Sequence, residues 1–141
     1  MNIIGEVLKK QKNYFNSIKT LQEKINKSKM KKVNILGRKN KFQVKSILKK
    51  TDIYILPSLS EGISISLMEA MSLKCFCMVS SNSNLSGIIK NNKNGFVFSL
   101  NSNSFINSIN KFLKLNLIKK NIIRNNARET ILDVNKKKII F

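Results

Sequence analysis

A chain of 141 residues, 42% of them hydrophobic, has room for one packed domain and not for two ordinary ones. Its 27 Lys and Arg against seven Asp and Glu give a formal charge of +20, and the absence of His excludes every imidazole base and every Ser-His or Cys-His nucleophile. No run approaches the ~20 apolar residues of a membrane-spanning helix; "MNIIGEVLKKQK" also lacks the apolar core and cleavage site of a secretory leader, so a cytoplasmic protein is expected.

In chain order, residues 6–29 are predicted to be helical, with Phe15, Ile18, Leu21 and Ile25 at three- and four-residue spacing. "KVNILG" supplies a short apolar run, Val33 to Leu36, stopped by Gly37, and is predicted to be a buried strand. Helical spacing returns through Phe42, Val44, Ile47 and Leu48. "TDIYILPS" is a second short strand, closed by Pro57, the only proline. A helix over about 64–73 leads into a strand at Cys75 to Val79. A short helix or turn follows, then an Asn94-Gly95 turn and a strand at Phe96 to Phe98. Two helices, about 104–115 and 118–134, complete the chain.

Short apolar strands alternating with amphipathic helices predict an α/β fold: a Rossmann-like, mainly parallel sheet flanked by helices on both faces. The expectation is one domain over 1–141, comprising an N-terminal helical segment (1–30), a core (31–134) and a tail (135–141). That tail, "NKKKIIF", is either a frayed end or a segment that packs on something outside the chain.

Cys75 and Cys77 sit at i and i+2 and would share one face of a strand. They read either as a redox or metal pair or as two small apolar residues on a buried strand. The second reading is preferred, because two cysteines without His cannot complete a four-ligand zinc site. The positive charge invites nucleic acid, yet 24 of the 27 basic residues are Lys, spread along the whole chain. Arg, the residue of bidentate base contacts, occurs only as Arg38, Arg124 and Arg128. No specific nucleic-acid partner is therefore expected, only weak attraction to polyanions and anionic membrane surfaces.

"PSLSEGISISLMEAMS" places two of the seven carboxylates, Glu61 and Glu69, around one turn-and-helix junction. In an open parallel sheet ligands bind beyond the carboxyl ends of the strands, where this loop emerges. Gly62 permits close approach to the backbone. Ser64 can cap the next helix, whose free N–H groups and positive dipole end suit a phosphate. Glu69, further along the helix, leans back toward the same edge. An anion-friendly helix end beside two hydrogen-bond-accepting carboxylates suits a nucleotide sugar. Otherwise Glu61 is a solvated loop charge and Glu69 an exposed helix residue paired with a Lys.

"DIYILPSLSEGISISLMEAMS" resembles the signature of the C-terminal domain of family 4 glycosyltransferases, the group 1 enzymes with the GT-B fold. "VNILG" is similar to a family strand, "NNKNGFVF" to its Asn-Gly turn, and "NNARETILD" to its closing helix, together spanning about residues 31–134. The resemblance implies retaining transfer of a sugar from a nucleotide-sugar donor, with the leaving diphosphate taking the acceptor's proton and no metal or other cofactor. It implies that Glu61 contacts donor-sugar hydroxyls near the reacting carbon. Gly62, Ile63 and Ser64 would meet the diphosphate and sugar, Glu69 the ribose, and Gly37 with Arg38 the nucleobase. Lys12 matches a phosphate-binding lysine only if residues 6–29 align with an earlier family segment; the preferred reading is a helix that simply precedes Val33.

The chain departs from the family at Lys74 and Phe76, where Gly and Pro usually make a tight helix-to-strand turn. It departs again at Ser81, Ser83-Asn84 and Ser86-Gly87, which replace an Asp, a Gly-Gly and a Pro-Glu. The family's acceptor domain has no counterpart, and transfer needs both substrates held together. The first functional expectation is a donor-binding half that works on an unknown acceptor with a separate N-terminal acceptor-domain chain. The alternatives are an inactive truncated fragment and a basic module for nucleic acid or anionic surfaces.

Overall fold

The computed structural model describes residues 2–4, 12–27, 33–61, 64–84 and 86–138. The chain divides into two compact units, residues 1–44 and 45–141.

In the first unit, strand β1 (Asn2–Ile3) pairs in parallel with β2 (Asn34–Ile35), and helix α1 (Lys12–Lys27) lies between them in sequence. β1 was not anticipated, since two residues carry no periodicity. Residues 6–11 and 28–29 of the predicted first helix lie outside the described residues. The strand expected over Val33 to Leu36 shortens to Asn34–Ile35. It loses Val33 and Leu36 and is not buried, Asn34 being exposed and Ile35 half-buried. Val33 has other partners, its carbonyl accepting from Gln22 Nε2 (2.8 Å) and Asn26 Nδ2 (3.0 Å) and its N–H donating to Asn26 Oδ1 (2.7 Å). These bonds tie α1 to the residue immediately before β2. Helix α2 (Lys41–Leu48) spans the boundary between the units and opens with a capping box. In it the Gln43 N–H donates to Asn40 Oδ1 (2.9 Å) and the Asn40 N–H to Gln43 Oε1 (3.1 Å).

The second unit holds a three-stranded parallel sheet in the order β3 (Ile53–Leu56), β4 (Phe76–Ser80), β5 (Phe96–Phe98). Helix α3 (Ile65–Ser72) joins β3 to β4; α4 (Ser102–Lys114) and α5 (Leu117–Lys138) follow β5. Every residue of β4 is buried, as an apolar strand between two neighbours requires. Ile53 pairs with Phe76, and Ile55, Met78 and Phe96 lie in register, so alternate residues of each strand share a face. There Phe76 stacks edge-on against Phe96 (4.9 Å) and Phe112 (4.8 Å), with Ile123 of α5 completing the cluster.

The expected strand start at Cys75 moves one residue on, because that residue belongs to the end of α3. The Cys75 N–H donates to Ala70 O and the Lys74 N–H to Met71 O, both at 3.0 Å. This is a Schellman ending, whose left-handed position is ordinarily glycine. Lys74 occupies it at φ +60°. α4 starts at Ser102 rather than Ser104, because Asn101 is its cap and accepts from the Ser104 N–H at 2.8 Å. α5 runs past residue 134 to Lys138.

Gly95 is required by close approach rather than by its backbone angle. An added Cβ would lie 2.6 Å from the Cys77 carbonyl. The Asn94-Gly95 turn is held by buried Asn94, whose amide bonds the Lys90 N–H, the Ile88 carbonyl and the Thr130 hydroxyl at 2.7–3.0 Å. Among the described residues no helix is long and apolar enough to cross a membrane.

Candidate functional site

Parallel pairing puts the carboxyl ends of β3 and β4 at one edge of the sheet, and the loop from Pro57 to Ser64 leaves from there. Two buried serines hold it from below. Ser80 Oγ donates to the Ser58 carbonyl (2.7 Å) and Ser83 Oγ to the Leu56 carbonyl (3.0 Å), while the two hydroxyls lie 2.8 Å apart. The backbone on both sides of Pro57 is thereby fixed by groups that water cannot reach.

Glu61 is half-buried and accepts from Ser58 Oγ at 3.2 Å, so it is more than a solvated loop charge. Gly62 and Ile63 lie outside the described residues. Ser64 is the N-cap of α3: its backbone is extended and its Oγ accepts from the Leu67 N–H at 3.4 Å. From that hydroxyl a chain runs to Ser66 Oγ (3.0 Å) and on to the Tyr54 hydroxyl (2.7 Å). Burial pushes the Tyr54 phenol above its ordinary pKa, with the bond to Ser66 opposing and the neighbouring Glu61 charge adding to the rise. Its proton therefore remains on the ring oxygen through the neutral range.

Glu69 is half-buried on α3, three residues beyond Ser66 and so on the same face. Its carboxylate has no hydrogen-bonding or ionic partner among the described residues. The Lys pairing that would have made it an ordinary surface residue is absent there. The second unit thus carries Glu61, Ser64 and Glu69 on one loop and the helix it enters.

The other anticipated residues belong to the first unit. Gly37, with φ +64° and open space where a Cβ would go, follows β2, with exposed Arg38 beside it. Lys12 opens α1, and its side chain lies outside the described residues. Cys75 and Cys77 are both free thiols buried at 1% and 0% exposure. Burial pushes the Cys75 thiol up to about 11 against the opposing charge of Arg124 and raises Cys77 as well, which leaves both unreactive. No three His, Cys, Asp or Glu side chains converge among the described residues.

Sequence reasoning missed Tyr54, Ser66, Ser80 and Ser83. "TDIYILPS" is legible only as a short strand closed by Pro57, with no residue of it singled out. The only available signal was the period-two position of Tyr54, which places it on the opposite face from Ile53 and Ile55.

The family model described as "Glycosyl transferases group 1" matches residues 1–130. An Escherichia coli UDP-Gal:alpha-D-GlcNAc-diphosphoundecaprenol alpha-1,3-galactosyltransferase is 36% identical over 70 residues, 50% of this chain and 18% of that protein. The amylovoran biosynthesis glycosyltransferase AmsK of Erwinia amylovora is 34% identical over 71 residues, 46% of this chain and 17% of its own. The chain therefore spans less than a fifth of these relatives' length in the matched region. Among solved structures, the C-terminal domain of a group 1 glycosyl transferase from Francisella tularensis superposes with a TM-score of 0.79 at 19% identity, covering 94% of this chain and 67% of that one. Anabaena HepE in complex with UDP-glucose gives 0.78 at 15% identity, covering 96% of this chain and 38% of its own. At these identities the structural matches establish a shared α/β fold, that of GT-B C-terminal domains.

Proposed function

The chain belongs to the group 1 glycosyl transferases, and on that premise we propose that it is the donor-binding half of a retaining enzyme. The observation that carries this reading is the Ser64-capped start of α3, set beside Glu61 and followed by a Glu69 that has no partner among the described residues.

A helix N-terminus offers unpaired N–H groups and a partial positive charge, which stabilise the negative charge that gathers on a departing diphosphate. The amides of Gly62, Ile63 and Ser64 are the donors this reading assigns to the diphosphate and sugar. Glu69 accepts from two ribose hydroxyls, an arrangement that fixes the nucleoside relative to the helix end. Glu61, aligned by Ser58, accepts from a sugar hydroxyl near the anomeric carbon. The bond from that carbon to the diphosphate breaks, a bond to the acceptor oxygen forms on the same face, and the acceptor's proton passes to the diphosphate. No imidazole and no resident metal enter this scheme. Gly37 and Arg38 meet the nucleobase, and Lys12 is the least supported ligand, for a phosphate. Acceptor binding is assigned to a separate N-terminal domain chain. The reaction is placed in the cytoplasm, where a charge of +20 draws the chain weakly to anionic membrane surfaces.

The first donors to test are UDP sugars, since one matched relative is named for UDP-Gal and neighbouring structures hold UDP or UDP-glucose. Ligand-observed NMR of the chain against UDP-, GDP- and ADP-sugars reads this directly. Binding that Glu69→Ala weakens about tenfold is expected, the loss of one charge-assisted pair of hydrogen bonds. A folded chain that binds none of the three at millimolar concentration overturns the proposal and leaves the inactive fragment.

A further inference from the structure

The edge of the sheet opposite the Ser58–Ser64 loop carries a second concentration of polar groups. Lys74 and Asp52 each stand just before a strand, β4 and β3, and so mark the amino edge. The five residues of β4 separate the two edges by roughly 16 Å.

Lys74 and the outer surface of α5 line two adjoining hollows of about 350 and 370 Å³. These reach the low end of the roughly 300–1,000 Å³ typical of ligand pockets. Lys74 and Asn125 line both. Asn121 and Arg124 complete the first, while Arg128 and Glu129 belong to the second. Two of the chain's three arginines thus stand one helical turn apart, one at each hollow, although Lys supplies nearly all its other positive charge.

Each cation has unused capacity. Arg124 Nη2 donates to the Asp52 carbonyl at 3.0 Å and lies 3.5 Å from its carboxylate, which is 90% exposed. Those contacts fix the guanidinium, yet its Nε–H is buried and has no partner among the described residues. Lys74 and Arg128 have no hydrogen-bonding or ionic partner there either. Lys74 is also held in a left-handed conformation that glycine adopts without strain. Glu129 opposes an anion in the second hollow, so the first is the better seat.

We propose that this groove is an anion site for a phosphate monoester or diphosphate group, distinct from the donor edge. The Arg124 guanidinium, held in place through Nη2, adds a planar charge at the wall of the hollow, the Asn121 and Asn125 amides supply neutral donors, and Lys74 adds a point charge. The proposal does not depend on the glycosyltransferase reading.

The test is a titration of the full chain with inorganic phosphate and with pyrophosphate at constant ionic strength, read from the Arg124 Nε–H and Asn125 NMR signals. Chloride serves as the control. Saturable shifts at these signals are expected, with affinity about tenfold lower in Lys74→Gly and reduced in Asn121→Ala. Because Lys74→Gly relieves strain, a loss of binding in that variant cannot be ascribed to unfolding. A parallel arm uses phosphatidic acid vesicles against phosphatidylcholine vesicles. Sedimentation with the first, weakened in both variants, in the absence of a free-phosphate response assigns the phosphate to a lipid headgroup. If neither arm responds, if the shifts follow ionic strength alone, or if both variants bind as the parent does, the site does not exist. Shifts confined to Ser64–Leu67 would likewise overturn it.

Discussion

The two edges of one small sheet differ in chemistry. The carboxyl edge is built from hydroxyls and carboxylates: Ser80 and Ser83 below, Ser58 with Glu61, and the Ser64–Ser66–Tyr54 chain at the start of α3. The amino edge pairs cations with carboxylates, with Lys74 and Arg124 at one hollow beside Asp52, and Lys74 and Arg128 at the next beside Glu129. A net charge of +20 conveys nothing of this difference. A strongly basic chain can keep one edge suited to ribose hydroxyls because its few carboxylates, not its many lysines, are the informative charges.

The largest perturbation should abolish the distinction altogether. Gly95→Ala drives a Cβ to 2.6 Å from the Cys77 carbonyl in the central strand, and backbone cannot yield as a side chain would. A loss of about 3 kcal/mol, measured by urea unfolding, is expected to weaken both edges together. Ser80→Ala should be selective for the carboxyl edge. It removes the donor to the Ser58 carbonyl and the acceptor of the Ser83 N–H, both in a buried setting, for about 2 kcal/mol. Unchanged stability would show that the loop around Pro57 is held by other means.

Alkaline pH should weigh on the strand that joins the edges. Burial holds the Cys75 thiol at about 11, above its ordinary 9.0, and raises Cys77 and Tyr54 too. The unfolded chain therefore releases protons that the folded chain keeps. Stability is full below about pH 9 and falls as pH rises from 9 toward 11. Cys75→Ala should flatten the fall between urea midpoints at pH 8 and pH 10; an identical slope would place the sensitivity elsewhere. Ser64→Ala removes the cap of α3 and should cost about 1 kcal/mol, together with part of any donor affinity. Lys74→Gly should do the reverse at the other edge, a gain of about 1 kcal/mol and about 3 °C in thermal midpoint. A loss there would mean that the lysine makes a compensating contact.

Much of the architecture was legible because its signals are local. The β5 strand at Phe96–Phe98, the break at Gly37 and the Ser64 cap each depend on a few adjacent residues. Boundaries moved where several residues could serve equally, as in "LNSNS", where Asn101 caps α4 in competition with nearby serines. The buried strand expected from Val33 begins one residue later because Gln22 and Asn26, on the preceding helix, take Val33's backbone groups.

By itself, then, the sequence determined the alternation of strands and helices, the parallel sheet and the Glu61–Glu69 junction. Spacing, caps and turns act across a handful of residues and survive without tertiary context. Only the tertiary structure decided that Ser80 and Ser83 hold the loop after β3, and that Lys74 lines one hollow with Arg124 and the next with Arg128, some fifty residues on. Such meetings depend on strand register and on which face of α5 packs inward at Ile123, Ala127 and Ile131. Those are properties of the packed core, which no local pattern of residues encodes.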